Sequence, residues 1–308
     1  MTATAPPHDH SGPLPAGVIA QFLLAVVIWS STWVVIKDQV GLAAPGWTIV
    51  VRFAIATLGM VVLAVVRGES LRLPPAALGT AALVGLTQFC LNFQFVYRAE
   101  QAMTSGIMAL LMATIMIPTA VLARLFYGDR IDRRFVAGSA VALAGIGLLL
   151  LKEYRAAPPG AHIAAGLGFG FAAVLSAAVA TAAQLGRAAR AAAPVPLMAW
   201  AMGLGTLLDL VLAFVTAGPP PMGLPGQFWA GAVYLSIIGT VVPFPLYVGL
   251  IRRLGAGRAT YVNVCVPVLA MAISTLLEGY RWTLLAVAGA VLAMAGLLIV
   301  MRARRSGP

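Results

Sequence analysis

Residues 136–145 read VAGSAVALAG, and residues 287–296 read VAGAVLAMAG. Six of the ten positions are identical at an offset of 151, close to half of the 308-residue chain. The same offset pairs Gly106 with Gly257, Gly128 with Gly279 and Phe93 with Phe244. A repeat at half the chain length points to two copies of one unit. The pairs Gly138/Ala142 and Gly289/Ala293 follow the small-xxx-small spacing of helices in close contact, within one chain or between two.

What lies around these segments fixes the class of the unit. Hydrophobic residues make up 61% of the chain and charged residues 9%, where a soluble domain carries about 25% charged residues. A helix crossing a bilayer needs about 20 apolar residues. Apolar runs of that kind predict ten spans: 17–36, 46–66, 76–97, 102–124, 134–151, 163–185, 195–216, 228–250, 259–278 and 282–301. The reading is an all-α polytopic membrane protein. It has a disordered N-terminal tail (1–16), a first five-helix repeat (17–151), a linker (152–162), a second repeat (163–301) and a basic C-terminal tail (302–308). Five spans is an odd number, so the two repeats must insert in opposite directions. Inverted repeats around a mid-membrane site are a recurrent transporter plan.

The net charge of +11 would suggest nucleic acid in a soluble protein. Here the basic residues fall in short loops, and no extended soluble segment exists to carry such a function. Placing both termini in the cytoplasm gathers fourteen Lys and Arg on that side, among them Arg130, Arg133, Arg134, Arg252 and Arg253. Five fall on the other side: Lys37, Arg98, Lys152, Arg155 and Arg281. Basic loops stay cytoplasmic during insertion, so this is the expected orientation. The bias of Arg over Lys fits a GC-rich bacterial genome and hence a bacterial inner membrane. The tail lacks a basic n-region and is not a cleaved signal peptide. Cys90 and Cys265 lie in apolar runs and make neither a disulfide framework nor a metal set. The only histidines are His8, His10 and His162. No span offers a His base to a serine nucleophile, which argues against an intramembrane enzyme. No catalytic residue, metal or cofactor is called for. A non-saturable channel or a scaffold stays open as an alternative.

The motifs resemble one family. WSSTWVVIK (29–37), Arg52-Phe53, LNFQFVY (91–97), MTSGIMALL (103–111), FYGDRID (126–132) and LIRRLGAGRATYVNVCVPVLA (250–270) are similar, in order and spacing, to motifs of the drug/metabolite transporter superfamily. Within it they resemble the EamA family of ten-span carriers. The resemblance runs from residue 18 to 301. Ser30 stands where the family has Gly, Asp129 where it has Glu, and the proline of the fourth span falls at Pro118. The resemblance implies alternating access through a cavity lined by spans 1, 3, 4, 6, 8 and 9. It also implies export of small polar or amphipathic metabolites such as amino acids or nucleosides, by a monomer or homodimer in the lipid bilayer.

Polar side chains inside lipid are costly and tend to face a cavity or another helix. Gln88, Asn92 and Phe95 share one helical face, and the two amides could bind a solute or bond between helices. Trp29 lies near mid-span and could stack on a ligand, whereas Trp33 suits the interfacial belt. Met108 belongs to a Met-bearing face of span 4 that suits a promiscuous surface or plain packing. Tyr247 and Asn263 flank Pro243 and Pro267, which loosen spans 8 and 9. The expected solute-binding set is therefore Trp29, Gln88, Asn92, Met108, Tyr247 and Asn263. Arg52 and Asp209 each lie roughly 10 Å inside the membrane at 1.5 Å per residue, a depth at which they could pair or carry a proton. Asp209 reads as the sole carboxylate well inside a span. Glu278 reads as solvated at the outer end of span 9.

Overall fold

The computed structural model describes residues 15–156, 162–254, 259 and 261–303. The His8-Asp9-His10 tail, residues 157–161 of the linker, Gly257, and the basic residues beyond Ala303 lie outside the described residues.

The described residues are chiefly helical, joined by short connections, as a lipid-embedded backbone must be when water cannot satisfy its polar groups. The predicted spans correspond to α1 (Ala16–Val40), α2 (Pro45–Val66), α3 (Pro75–Glu100), α4 (Ser105–Tyr127), α5 (Arg133–Ala156), α6 (Ile163–Ala183) and α7 (Pro194–Ala217). They are followed by α8 (Gly226–Val233, Tyr234–Val241, Pro243–Leu254), α9 (Val262–Leu277) and α10 (Leu284–Ala303). Nine are long and apolar enough to cross a membrane; α9 is apolar but shorter, at 16 residues. A short helix, Arg187–Ala191, precedes α7.

Local sequence sets the ends. Pro45, Pro75 and Pro194 sit in the first turn of α2, α3 and α7, where a missing N–H costs nothing. Gly68 follows α2 at φ +66° and Gly218 follows α7 at φ +73°. Gly128 follows α4 at φ +74° and Gly279 follows α9 at φ +67°. Left-handed backbone of this kind favours glycine, and the two pairs occupy corresponding places in the two halves.

Each of three helices packs against its own repeat counterpart: α2 against α7, α4 against α9 and α5 against α10. The remaining contacts also come in matching sets, since α1 meets α8 as α6 meets α3, and α1 meets α9 as α6 meets α4. The inversion is plainest between α5 and α10. Gly138 faces Gly296 while Gly145 faces Gly289, so the two helices run in opposite directions. A Cβ on Gly145 would stand 2.6 Å from the Gly289 carbonyl, and one on Gly296 would stand 2.6 Å from the Gly138 carbonyl. The backbones therefore touch through their glycines, and the small-residue pairs of the repeat meet within one chain. Lipid-facing positions repeat as well. Leu58, Val62 and Val66 on α2 are exposed, as are Leu207, Val211 and Val215 on α7, an apolar surface suited to acyl chains.

Three helices depart from regular α geometry. Gly85–Asn92 in α3 and Tyr234–Val241 in α8 are π-helical. The Val242 N–H reaches back five residues to Ile237, as π-helical pairing requires. Helix α4 breaks at Thr114–Ile115 between its segments Ser105–Ala113 and Met116–Tyr127. Pro118 supplies no N–H for the Thr114 carbonyl, which instead accepts from Ile117 N at 2.8 Å.

Candidate functional site: a central cavity between the inverted halves

The irregular stretches of α3, α4 and α8 converge on a cavity of about 410 Å³, within the range of small-ligand sites. Its wall is drawn from α1 (Trp29, Thr32, Trp33, Ile36), α2 (Arg52, Phe53), α3 (Gln88, Phe89, Asn92, Phe93, Val96) and the broken part of α4 (Ala109, Met112, Ala113, Ile115, Met116). Met198 and Met202 of α7, Gly239, Thr240 and Phe244 of α8, and Asn263, Val266 and Pro267 of α9 complete it. The lining is chiefly aromatic and methionine, with a few amides and hydroxyls and one guanidinium. Such a wall accepts an amphipathic solute: the apolar faces adapt to its body, and the polar groups fix its orientation.

Four of the six expected binding residues, Trp29, Gln88, Asn92 and Asn263, line this cavity. Met108 does not. It is fully buried with its sulfur near Gly170 of α6, so its side chain fills the α4–α6 contact. Tyr247 stands behind the wall, where its ring packs on Trp29 at 5.3 Å and its hydroxyl bonds the Asn263 side chain. Asn92 has a structural duty as well, because its Nδ2 donates to the Ala173 carbonyl of α6 at 2.8 Å. Gln88 Nε2 donates to Asn92 Oδ1 at a long 3.4 Å. Trp33 faces the cavity rather than the interfacial belt.

Phe95 is a correction. It stacks on Phe169 of α6 at 6.1 Å, and Phe93 takes the cavity position. The π-helical stretch widens the turn, so α3 presents residues 88, 89, 92, 93 and 96 to the cavity rather than the α-helical face 88, 92 and 95. The wall also differs from the set of spans that the family resemblance implied. None of its lining residues comes from α6, while α2 and α7 both contribute. Ser30, the departure from the family glycine, is fully buried; its hydroxyl reaches Val26 O at 2.6 Å and Val266 O at 3.0 Å, tying α1 to α9.

Arg52 and Asp209 do not pair with each other. Their helices are neighbours, yet the two side chains approach different faces of α3. Asp209 is fully buried and accepts from Gln94 Nε2 at 2.7 Å. Gln94 in turn accepts from Arg98 Nη1 through its side-chain oxygen at 2.6 Å and its carbonyl at 2.7 Å. The amide thus links the buried carboxylate to a guanidinium one turn further on. The Arg52 guanidinium lies 4.5 Å from the Phe93 ring centroid and 5.1 Å from that of Phe53, within cation–π range. Ser236 of α8 donates to the Arg52 carbonyl at 2.7 Å, which anchors α2 at this level.

Polar contacts gather at one end of the bundle, and two acids there differ from expectation. Lys37 at the end of α1 donates to the carbonyls of Glu100 and Met103, the latter at 2.8 Å. Glu278 is not simply solvated: Ser105 donates to it from its backbone N–H at 3.0 Å and from its hydroxyl. A carboxylate from α9 thus caps the N-terminus of α4, where the exposed N–H groups and helix dipole favour negative charge. Glu100 is a second acid buried within a span, because α3 runs further than its apolar run does. Its side chain is fully buried, and neither carboxylate oxygen has a hydrogen-bond partner.

The sequence of the EamA-like transporter family matches this chain twice, over residues 17–151 and 164–302. The protein named "Uncharacterized inner membrane transporter YedA" of Escherichia coli strain K12 is 32% identical over 260 residues, covering 82% of this chain and 80% of its own. The "Probable amino-acid metabolite efflux pump" of Salmonella typhimurium is 27% identical, covering 90% and 92%. The "Probable terminal-alkyne amino-acid exporter" of Streptantibioticus cattleyicolor is also 27% identical, covering 91% and 92%. A solved crystal structure superposes with a TM-score of 0.65 over 96% of this chain and all of the other. At 18% identity it supports the fold alone. With both halves matched in turn, the chain belongs to the EamA-like transporter family.

Proposed function

We propose that this protein is a secondary carrier that exports small amphipathic metabolites, amino acids before nucleosides, by alternating access. The observation that carries the reading is the cavity, of solute size and amphipathic lining, set between two inverted halves. Inverted repeats give such a carrier two equivalent ways to close around one site. The names of the Salmonella and Streptantibioticus relatives support amino acids as first candidates. Trp29 supplies a stacking face, Gln88 and Asn263 offer amide contacts, and Asn92 positions Gln88. Met108 and Tyr247 act from behind the wall. The contacts of Lys37 with the Glu100 and Met103 carbonyls and of Ser105 with Glu278 tie helices together at one end of the bundle. The loop charges support a periplasmic position for that end, with both termini in the cytoplasm of a bacterium, and residues 17–151 and 163–301 are taken as the two repeats.

The test is a resistance and efflux screen. Cells overexpressing the protein are challenged with toxic amino-acid, nucleoside and drug panels, and export of any hit is measured against concentration. Saturable, competable efflux is expected; flux proportional to concentration would indicate a channel, and no flux a scaffold. Gln88→Ala and Asn263→Ala are expected to weaken resistance at normal membrane abundance. Full resistance in both, and in Asn92→Ala, would remove this cavity as the site.

A further inference from the structure

The wall of the cavity contains a charged group that the protein itself satisfies only in part. Arg52 is only 4% exposed, and its Nε and Nη1 are buried without hydrogen-bond partners. Among the described residues it makes no ion pair within 4.0 Å. A guanidinium carries five N–H donors, and buried donors without acceptors are costly to keep. Phe53 and Phe93 hold the group from the side through their ring faces, but a ring face does not replace an in-plane acceptor. Asp209 cannot serve, since Gln94 holds it elsewhere. Glu100 is close enough to interact electrostatically with Arg52, yet neither of its oxygens accepts a hydrogen bond. Arg52 is thus partly balanced by Glu100 at a distance and by the Tyr97 side chain beside it, while its Nε and Nη1 keep no acceptor.

We propose that Arg52 is the anchor for the carboxylate of the transported solute. The proposal rests on the cavity being the transport site. The planar fork of an arginine matches a carboxylate with two parallel hydrogen bonds. A phosphate monoester fits less well. Lys37, which shares Glu100 with Arg52 as an electrostatic neighbour, has its ammonium group on the Glu100 and Met103 carbonyls, and the Glu100 carboxylate would repel a second negative charge. With its carboxylate on Arg52, a small amino acid would lay its side chain along the aromatic and methionine wall.

The experiment compares acids with their amides. Purified protein in proteoliposomes is assayed for saturable transport of leucine, phenylalanine, threonine and methionine, of their C-terminal carboxamides, and of uridine as a neutral solute. The wild type is expected to prefer at least one acid over its amide by about tenfold or more, the size expected for a hydrogen bond to a charged group. Arg52→Gln is expected to lose that preference chiefly by losing the acid, while keeping amide or uridine transport. Arg52→Lys, which keeps the charge without the fork, is expected to fall between the two. Acids and amides moving equally well in the wild type would overturn the proposal, as would an Arg52→Gln protein that melts normally yet loses both alike. If Arg52→Gln does not fold, the wild-type ratio and Arg52→Lys decide by the same criteria. A wild type that moves no solute saturably overturns the carrier reading itself; one that moves amides or uridine but prefers no acid overturns only the anchor.

Discussion

At the scale of single residues, Asp209 shows how a membrane carboxylate can be structural without being paired in the obvious way. Its Oδ1 holds Gln94, and through Gln94 it orders Arg98. Asp209→Ala should lower the unfolding free energy by about 1–3 kcal/mol, the cost of stranding a buried donor, read as a lower melting temperature in detergent. Asp209→Asn keeps an acceptor and should cost less. Because Asp209 does not line the cavity, the Asn variant should also keep the pH profile of transport; a flattened profile would make Asp209 a proton carrier. That Arg52 and Asp209 lie within spans, on α2 and α7, was legible from the sequence. Their partners were not, because counting residues along a helix gives depth but not which neighbour a long side chain reaches. Met198 and Met202 went unnoticed although their i, i+4 spacing places them on one face.

At the scale of elements, the two π-helical stretches and the broken α4 account for most of what the sequence could not convey. A helical-wheel argument assumes a constant turn, and Gly85–Asn92 does not keep one. Gln88 and Asn92 survive that error since both lie inside the stretch, whereas Phe95 lies beyond it and rotates onto α6. The glycine face of α5 was legible, since small residues at helical spacing have few other uses in a span. Gly145→Val should destabilise the protein by about 1–3 kcal/mol or more through overpacking, because its side chain would meet the backbone of α10. Gly147→Val, two residues away with nothing within 4 Å of a Cβ, is the matched control and should leave the melting temperature nearly unchanged. At the start of α4, Ser105→Ala keeps the backbone N–H that Glu278 caps but removes the hydroxyl donor, and should cost about 1–3 kcal/mol, the range for a hydrogen bond to a charged group. Glu278→Gln keeps an acceptor there and should cost less than Glu278→Ala.

At the scale of the whole molecule, hydropathy marked the spans, and an odd number of spans per repeat required the halves to be inverted. Orientation is testable directly. In a protein with Cys90 and Cys265 replaced by Ser, a cysteine at Arg130 should react with an impermeant maleimide only in inverted vesicles. A cysteine at Tyr154, which is exposed, should react only in intact spheroplasts. The reverse pattern would turn the molecule over and make the Lys37–Glu278 end cytoplasmic. The glycine contact between α5 and α10 has a mechanical consequence. Ordinary helix pairs slide by letting side chains change rotamer, but here backbone rests largely on backbone, with only the Leu149 and Ile299 side chains close beside the glycines. Such a pair is expected to tilt as a unit, like the pin of a hinge, and on the proposed alternating-access reading the opening to the other face would pivot around it.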